Sequence, residues 1–161
     1  NDEAVLFYKE LFPQVMLIGS VELTHQEWSG LCETYIERLY GYQPVMITAQ
    51  CFVNNYLDGC GYNKRERFSF RDEKGNRFYS VNNCRDCYSV IYNGVPTNNV
   101  KQLTNNGNTD ITNEYLIDFT IENEDQTKNV MELLMKFHAG DMDEEFDEMD
   151  YTRGHYIKGI E

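Results

Sequence analysis

The sequence predicts an α/β fold: a mainly parallel sheet interrupted by a cysteine-rich β-hairpin insertion. Three observations carry this. An apolar run, Val15 to Ile18, precedes a helix-start pattern at Thr24 to Glu27, and two further strand patterns follow, at Tyr35 to Tyr40 and Val45 to Thr48. Strand, helix, strand in that order is the rhythm of a parallel sheet. Third, Phe68-Ser69-Phe70 and Arg77-Phe78-Tyr79 flank Asp72-Glu73-Lys74-Gly75-Asn76, which predicts a hairpin with a five-residue loop.

The remaining elements follow in order. Ala4, Phe7, Tyr8 and Leu11 recur at helical spacing, with Asn1 and Asp2 placed to cap them and Pro13 to end the helix. Val15 to Ile18 predicts a strand buried on both faces that runs on through Val21-Glu22-Leu23. Thr24 and Glu27 form a capping box opening the second helix. Beyond the hairpin, Ser89 to Tyr92 and Tyr115 to Thr120 are predicted strands of the same parallel sheet, and Asn99 to Leu103 a short helix. Asp125 to Ala139 predicts a longer helix, with Val130, Leu133, Leu134 and Phe137 on one face and Gly140 as its stop. Asn105 to Asn108 mark a turn.

Length and composition bound the function. The 161 residues, 41% hydrophobic and 25% charged, fit one domain spanning 1–161 with a real core. No apolar run reaches the roughly 20 residues of a membrane helix, and no export signal opens the chain, so the expected compartment is the cytoplasm. The net charge of −13 disfavours non-specific binding to nucleic-acid phosphates. Much of it is local, in Asp141 to Asp150, which reads as a solvated segment; the glycine and ligand spacing of a calcium loop are missing there.

The chemistry points to sulfur. Cys51, Cys60, Cys84 and Cys87 fall in one stretch, and Cys32 stands apart at a helix end, where it reads as core. Cys84-Arg85-Asp86-Cys87 has the spacing that lets two thiolates chelate one centre from a tight turn. Four thiolates suit zinc or an iron–sulfur cluster and suit magnesium or calcium poorly. Buried structural thiols are the alternative. The surroundings argue against it: Cys60 lies between Gly59 and Gly61, and Cys84 and Cys87 lie among Asn82, Asn83, Arg85 and Asp86.

Other motifs are weaker. Glu22 is predicted at a strand end, where barrels place functional groups, though an ion pair or helix-end contact accounts for it equally. His155 in Arg153-Gly154-His155 is a catalytic candidate whose structural alternative is the commoner one. His25 reads as first-turn helix surface and His138 as last-turn, where a cation suits the dipole. No Ser/His/Asp or Cys/His nucleophile pattern, HExxH or phosphate loop is present, so no catalytic residue is assigned.

The run Glu37-Arg38-Leu39-Tyr40-Gly41-Tyr42-Gln43-Pro44-Val45-Met46-Ile47-Thr48-Ala49-Gln50-Cys51 resembles the signature segment of the collagenase-like peptidase family U-32. Ser20-Val21-Glu22-Leu23, Arg71 to Gly75, Cys84 to Cys87 with Ile91-Tyr92-Asn93, and Thr152 to His155 follow in the family's order. The family's signature glutamate falls at Ile36 here, and Glu37 stands one place later.

The resemblance implies that the chain is the later part of a partial (β/α) barrel, a fragment of a larger U-32 family protein whose N-terminal half would be its partner. It implies a four-iron four-sulfur cluster on Cys51, Cys60, Cys84 and Cys87 in the parent, with zinc as the substitute in an aerobic preparation. The implied function is an iron–sulfur-dependent enzyme that modifies RNA or a small molecule. The alternatives are a peptidase (hydrolase) acting on collagen-like or other peptides, and a non-catalytic zinc-stapled module; the fragment alone is expected to be inactive. An exposed sheet edge would pair with the absent half or with a second copy.

Overall fold

The computed structural model describes residues 2–31, 35–51, 54–55, 67–100, 114–140 and 150–154. The fold is mixed α/β, with a largely parallel sheet in one compact unit and an antiparallel sheet in another. The first unit comprises Asn1–Gly41 with Thr97–Glu161; the second is the intervening Tyr42–Pro96.

In the first unit, α1 (Asp2–Leu11) carries Asp2 and Glu3 in its first turn and Lys9 in its last, each matched to the helix dipole. It buries Val5 against Trp28, with Leu17, Leu23, Leu31 and Tyr35 packed around the pair. The face predicted to be apolar and inward, Ala4, Phe7, Tyr8 and Leu11, is exposed instead. The strand after it explains why: β1 is only Leu17–Ile18, and a two-residue strand gives a helix little sheet to cover. Nor is β1 buried on both faces, since Val15, Met16 and Ile18 are exposed, and Val21 to Leu23 form a turn rather than more strand.

The capping box holds as expected. Thr24 N donates to Glu27 Oε2 at 2.7 Å and Glu27 N to Thr24 Oγ1 at 3.2 Å, opening α2 (His25–Leu31). Strand β2 (Tyr35–Gly41) is the hub of this unit. It pairs in parallel with β1 and with β8 (Tyr115–Asp118), and antiparallel with β7 (Thr97–Asn98), which the sequence reading missed. Both β7 and β8 pair with Tyr40 and Gly41, so they lie on opposite edges of β2. The strands of Leu17, Leu39 and Ile117 are thus parallel, as predicted.

Strand β8 stops at Asp118, short of the predicted Thr120. The Thr120 and Ile121 amides donate to the Glu122 carboxylate, at 2.7 and 3.0 Å, instead of extending the ladder. Helix α3 (Glu124–His138) then opens on a second capping box. Asn123 Oδ1 accepts from Gln126 N at 2.8 Å, and Gln126 Oε1 accepts from Asn123 N at 3.0 Å. Val130 and Leu134 of α3 pack with Leu39, Tyr40 and Val100, while Leu133 and Phe137 flank them. Gly140, at φ +78°, ends the helix.

The second unit corrects the sequence reading. Ile47 and Ile91 do not join the parallel sheet. Strands β3 (Pro44–Thr48), β4 (Arg67–Arg71), β5 (Arg77–Asn83) and β6 (Tyr88–Asn93) form an antiparallel sheet in the order β3-β6-β5-β4. The predicted hairpin is present as β4–β5, with Phe70 opposite Phe78. But β5 runs on to Asn83, and only Cys84 to Cys87 separate it from β6. A parallel crossover needs about a dozen residues. Four residues force an antiparallel return.

Most of the short helix from Asn99, the Asn105 to Asn108 turn and most of the acidic segment lie outside the described residues, as do Cys32, Cys60 and His155. Among the described residues, no helix is long and apolar enough to cross a membrane.

Two consequences are measurable. Gly41 sits at φ +152°, and a Cβ there would stand 2.7 Å from the Asp118 carbonyl oxygen. Gly41→Ala should therefore cost about 1–3 kcal/mol in chemical denaturation, by strain and by prising β8 from β2. At α2, the Thr24 backbone amide and then its hydroxyl hold the Glu27 carboxyl below its ordinary value. A depressed acid contributes stability that is present above its unfolded pKa and lost as pH falls through the folded one. Melting temperature should drop across that acid range, and Glu27→Gln should remove this part of the pH dependence.

Candidate sulfur-lined site

The antiparallel order of the second unit decides where the cysteines go. Because β3 runs opposite to β6, Thr48 at the end of β3 pairs with Ser89 at the start of β6. On the other edge of β6, Ser89 pairs with Asn82, near the end of β5. The chain therefore leaves β3 toward Cys51 at the same end of the sheet where Cys84 and Cys87 turn from β5 to β6.

A cavity of about 610 Å³ opens there, lined by Cys51, Cys84 and Cys87 together with Ala49, Gln50, Asn54, Asn55, Asn82, Asn83 and Tyr88. Three of the four predicted cysteines thus share one wall; Cys60 lies outside the described residues. Cys51 and Cys87 are free thiols. Among the described residues, no three histidine, cysteine or acidic side chains stand close enough to hold a single metal ion. The described part of the lining has thiols, amides and the Tyr88 phenol, and neither carboxylate nor imidazole; by donor type it is a soft lining.

Side chains beneath the cysteines fix this arrangement. Ser89, fully buried, has its hydroxyl 2.9 Å from the Gln50 carbonyl and 2.8 Å from Asn82 Oδ1. It links the segment beside Cys51 to the strand that carries Cys84. Asn55 Nδ2 donates to Gln50 Oε1 at 3.1 Å, bracing the same segment. The turn is closed by Asp86 N donating to the Asn83 carbonyl at 3.2 Å. Sequence reading missed Gln50, Asn82 and Ser89. Their polarity reads as turn composition in the sequence, and only the strand pairing shows Asn82 opposite Ser89.

The other candidates separate from this site. Glu22 is exposed in the turn after β1, with its amide on Ser20 Oγ, so the strand-end expectation fails. His25 is not simple helix surface: its Nδ1 is 3.1 Å from Glu37 Oε1 and 3.1 Å from the Tyr35 hydroxyl. Glu37 is itself buried, and burial first, then the Glu37 charge, raises the Tyr115 pKa. This group belongs to the first unit. His138 is exposed in the last turn of α3, as expected.

Cys87 carries backbone strain. Its φ is +53°, the left-handed region that costs a residue with a Cβ about 1–2 kcal/mol. Four-residue hairpin loops are built around such turns, and glycine or asparagine fills that position more easily. In metal-free protein, Cys87→Gly should be at least as stable as the parent chain by thermal denaturation and more stable than Cys87→Ala. A thiol kept at a strained position for its chemistry predicts that order; Cys87→Ala melting as high as Cys87→Gly would oppose it.

No family model matches this chain, and neither a curated protein nor a solved structure matches it.

Proposed function

We propose that the chain carries a four-cysteine iron–sulfur or metal centre on Cys51, Cys60, Cys84 and Cys87, as part of a U-32-like enzyme that modifies RNA or a small molecule. The observation that supports this most is the shared cavity of Cys51, Cys84 and Cys87. When bound, a cluster supplies electron transfer or an open Lewis-acid corner. The chain's own residues have the holding roles. The Cys84–Cys87 turn would supply two sulfurs and Cys51, three residues beyond β3, a third, with Ser89 bonded to Gln50 and Asn82 between the two arms.

The rest of the reading is a barrel portion within a larger protein. The parallel strands β1, β2 and β8, with α2 and α3 after β1 and β8, are what (β/α) units provide. The exposed side chains of Leu6, Phe7, Leu11, Phe12, Met16 and Ile18 give an N-terminal half of the same protein an apolar face to cover. Free thiols at Cys51 and Cys87 accord with a reducing, cytoplasmic setting.

Anaerobic purification followed by iron and acid-labile sulfide analysis tests the centre. The expected result is roughly four irons and four sulfides per chain with visible absorbance. Cys84→Ser and Cys60→Ser should each lose most of it. Tight zinc without visible absorbance would instead favour a structural staple. Metal-independent cleavage of collagen-derived peptides, abolished by one cysteine change, would favour a thiol peptidase.

A further inference from the structure

The turn between β5 and β6 carries a thiol at each end. Asn83 and Tyr88 are the last pair of that ladder, and Cys84 and Cys87 are the next residue on each side. Opposite residues of an antiparallel ladder have Cα atoms about 4.5–5.5 Å apart, and a disulfide spans about 4.4–6.8 Å. The turn is closed close by, where Asp86 N donates to the Asn83 carbonyl at 3.2 Å.

One sulfur is already turned toward the other residue. Cys87 Sγ lies 3.9 Å from the Cys84 carbonyl oxygen. Bonds of about 1.2 and 1.5 Å join that oxygen to Cys84 Cα, so the Cys87 sulfur is within about 6.7 Å of Cys84 Cα. Rotation at χ1 of the two side chains spans the remainder. Both cysteines line the same cavity, Cys87 exposed and Cys84 half-buried.

We propose that Cys84 and Cys87 form a thiol–disulfide exchange site whose substrate is a small disulfide of the glutathione disulfide class. The site needs only this pair, so the proposal goes beyond the metal-centre reading and holds for the metal-free chain. The Cys87 thiolate, on the exposed side, attacks one sulfur of the small disulfide and expels the other as a thiolate. The Cys84 thiolate then attacks the Cys87 sulfur of the mixed disulfide and expels the second small thiolate. The S–S bond of the substrate is replaced by one between Cys84 and Cys87. Two protein thiols are oxidised, the small disulfide is reduced, and the two protons pass to the two released thiols.

The test incubates the reduced full chain, with EDTA and without oxygen, in buffers of graded glutathione to glutathione disulfide ratio. Acid quench, alkylation and trypsin follow. Cleavage after Arg77, Arg85 and Lys101 puts Cys84 and Cys87 in separate peptides, Phe78 to Arg85 and Asp86 to Lys101. The expected product is those two peptides joined by a disulfide, with Cys51 still alkylated. Cys84→Ser, lacking the resolving thiol, should stop at a glutathione adduct on Cys87. Urea should lower the equilibrium constant for the internal disulfide at least about tenfold, because the turn then no longer holds the thiols together. A link between Cys51 and Cys84, glutathione adducts with no internal disulfide, or no reaction overturns the proposal. So does an unchanged constant in urea, or a Cys84→Ser chain with no adduct on Cys87. Iron and sulfide analysis decides the metal-centre reading separately, since EDTA keeps metal out of this exchange.

Discussion

The antiparallel pairing of β3 with β6 is the constraint from which the site follows. A strand has two ends, and its direction decides which end its C-terminal extension leaves. Had β3 run parallel to β6, Cys51 would have left the sheet at the end occupied by Tyr92 and Asn93, a strand's length from the Cys84–Cys87 turn. Pairing Thr48 with Ser89 puts all three sulfurs at one end. A single buried hydroxyl then locks the arrangement, because Ser89 reaches both Gln50, next to Cys51, and Asn82, two residues before Cys84. The sheet gives direction, and the serine gives register.

The interior beneath the site is chosen against maximal stability. Ser80, Asn82 and Ser89 are at most 1% exposed, in positions where Val or Ile would bury apolar area at no hydrogen-bonding cost. Ser80 Oγ, like Asn82 Nδ2, has no partner there. Left-handed backbone at Cys87 adds strain in the adjoining turn. Here buried polar groups and left-handed backbone at a non-glycine residue fall within a few residues of one cavity, a combination in which local rules yield. The first unit buries polar groups as well, Glu37, Thr97, Asn98 and Asn99, beside its apolar core of Leu39, Tyr40, Val100, Val130 and Leu134.

Local signals were legible in the sequence, and long-range pairing was not. The Thr24–Glu27 box, the Phe70–Phe78 hairpin and the Val130–Leu134 helix face depend on neighbours a few residues apart, and each stands where its pattern placed it. The direction of β6 depended on β5 continuing through Val81, Asn82 and Asn83, where the two asparagines read as loop. Once β5 is seen to reach Asn83, the four-residue return fixes β6 as antiparallel, and the parallel rhythm ends at Gly41. The Gly- and Asn-rich surroundings pointed to the cysteine segment, of which Cys51, Cys84 and Cys87 line one cavity. Asn82 and Ser89 were not, since a buried Asn–Ser pair looks like turn composition until the strands are laid side by side.

Charge gives the cavity a further asymmetry. Every residue in its lining is uncharged apart from what the cysteines become: no lysine, arginine or histidine is among them. The chain as a whole carries a net charge of −13. On the proposed metal-centre reading, a bound metal would supply positive charge there, and its binding would release the thiol protons. Amide donors are then the groups the chain itself can offer to sulfur, since they bring polarity without a charge that must be neutralised when the metal leaves. Asn54, Asn55, Asn82 and Asn83, which line the cavity with the thiols, would be such donors on that reading. A cationic lining would stabilise thiolate without metal, whereas an amide lining leaves the negative charge to be met by the metal.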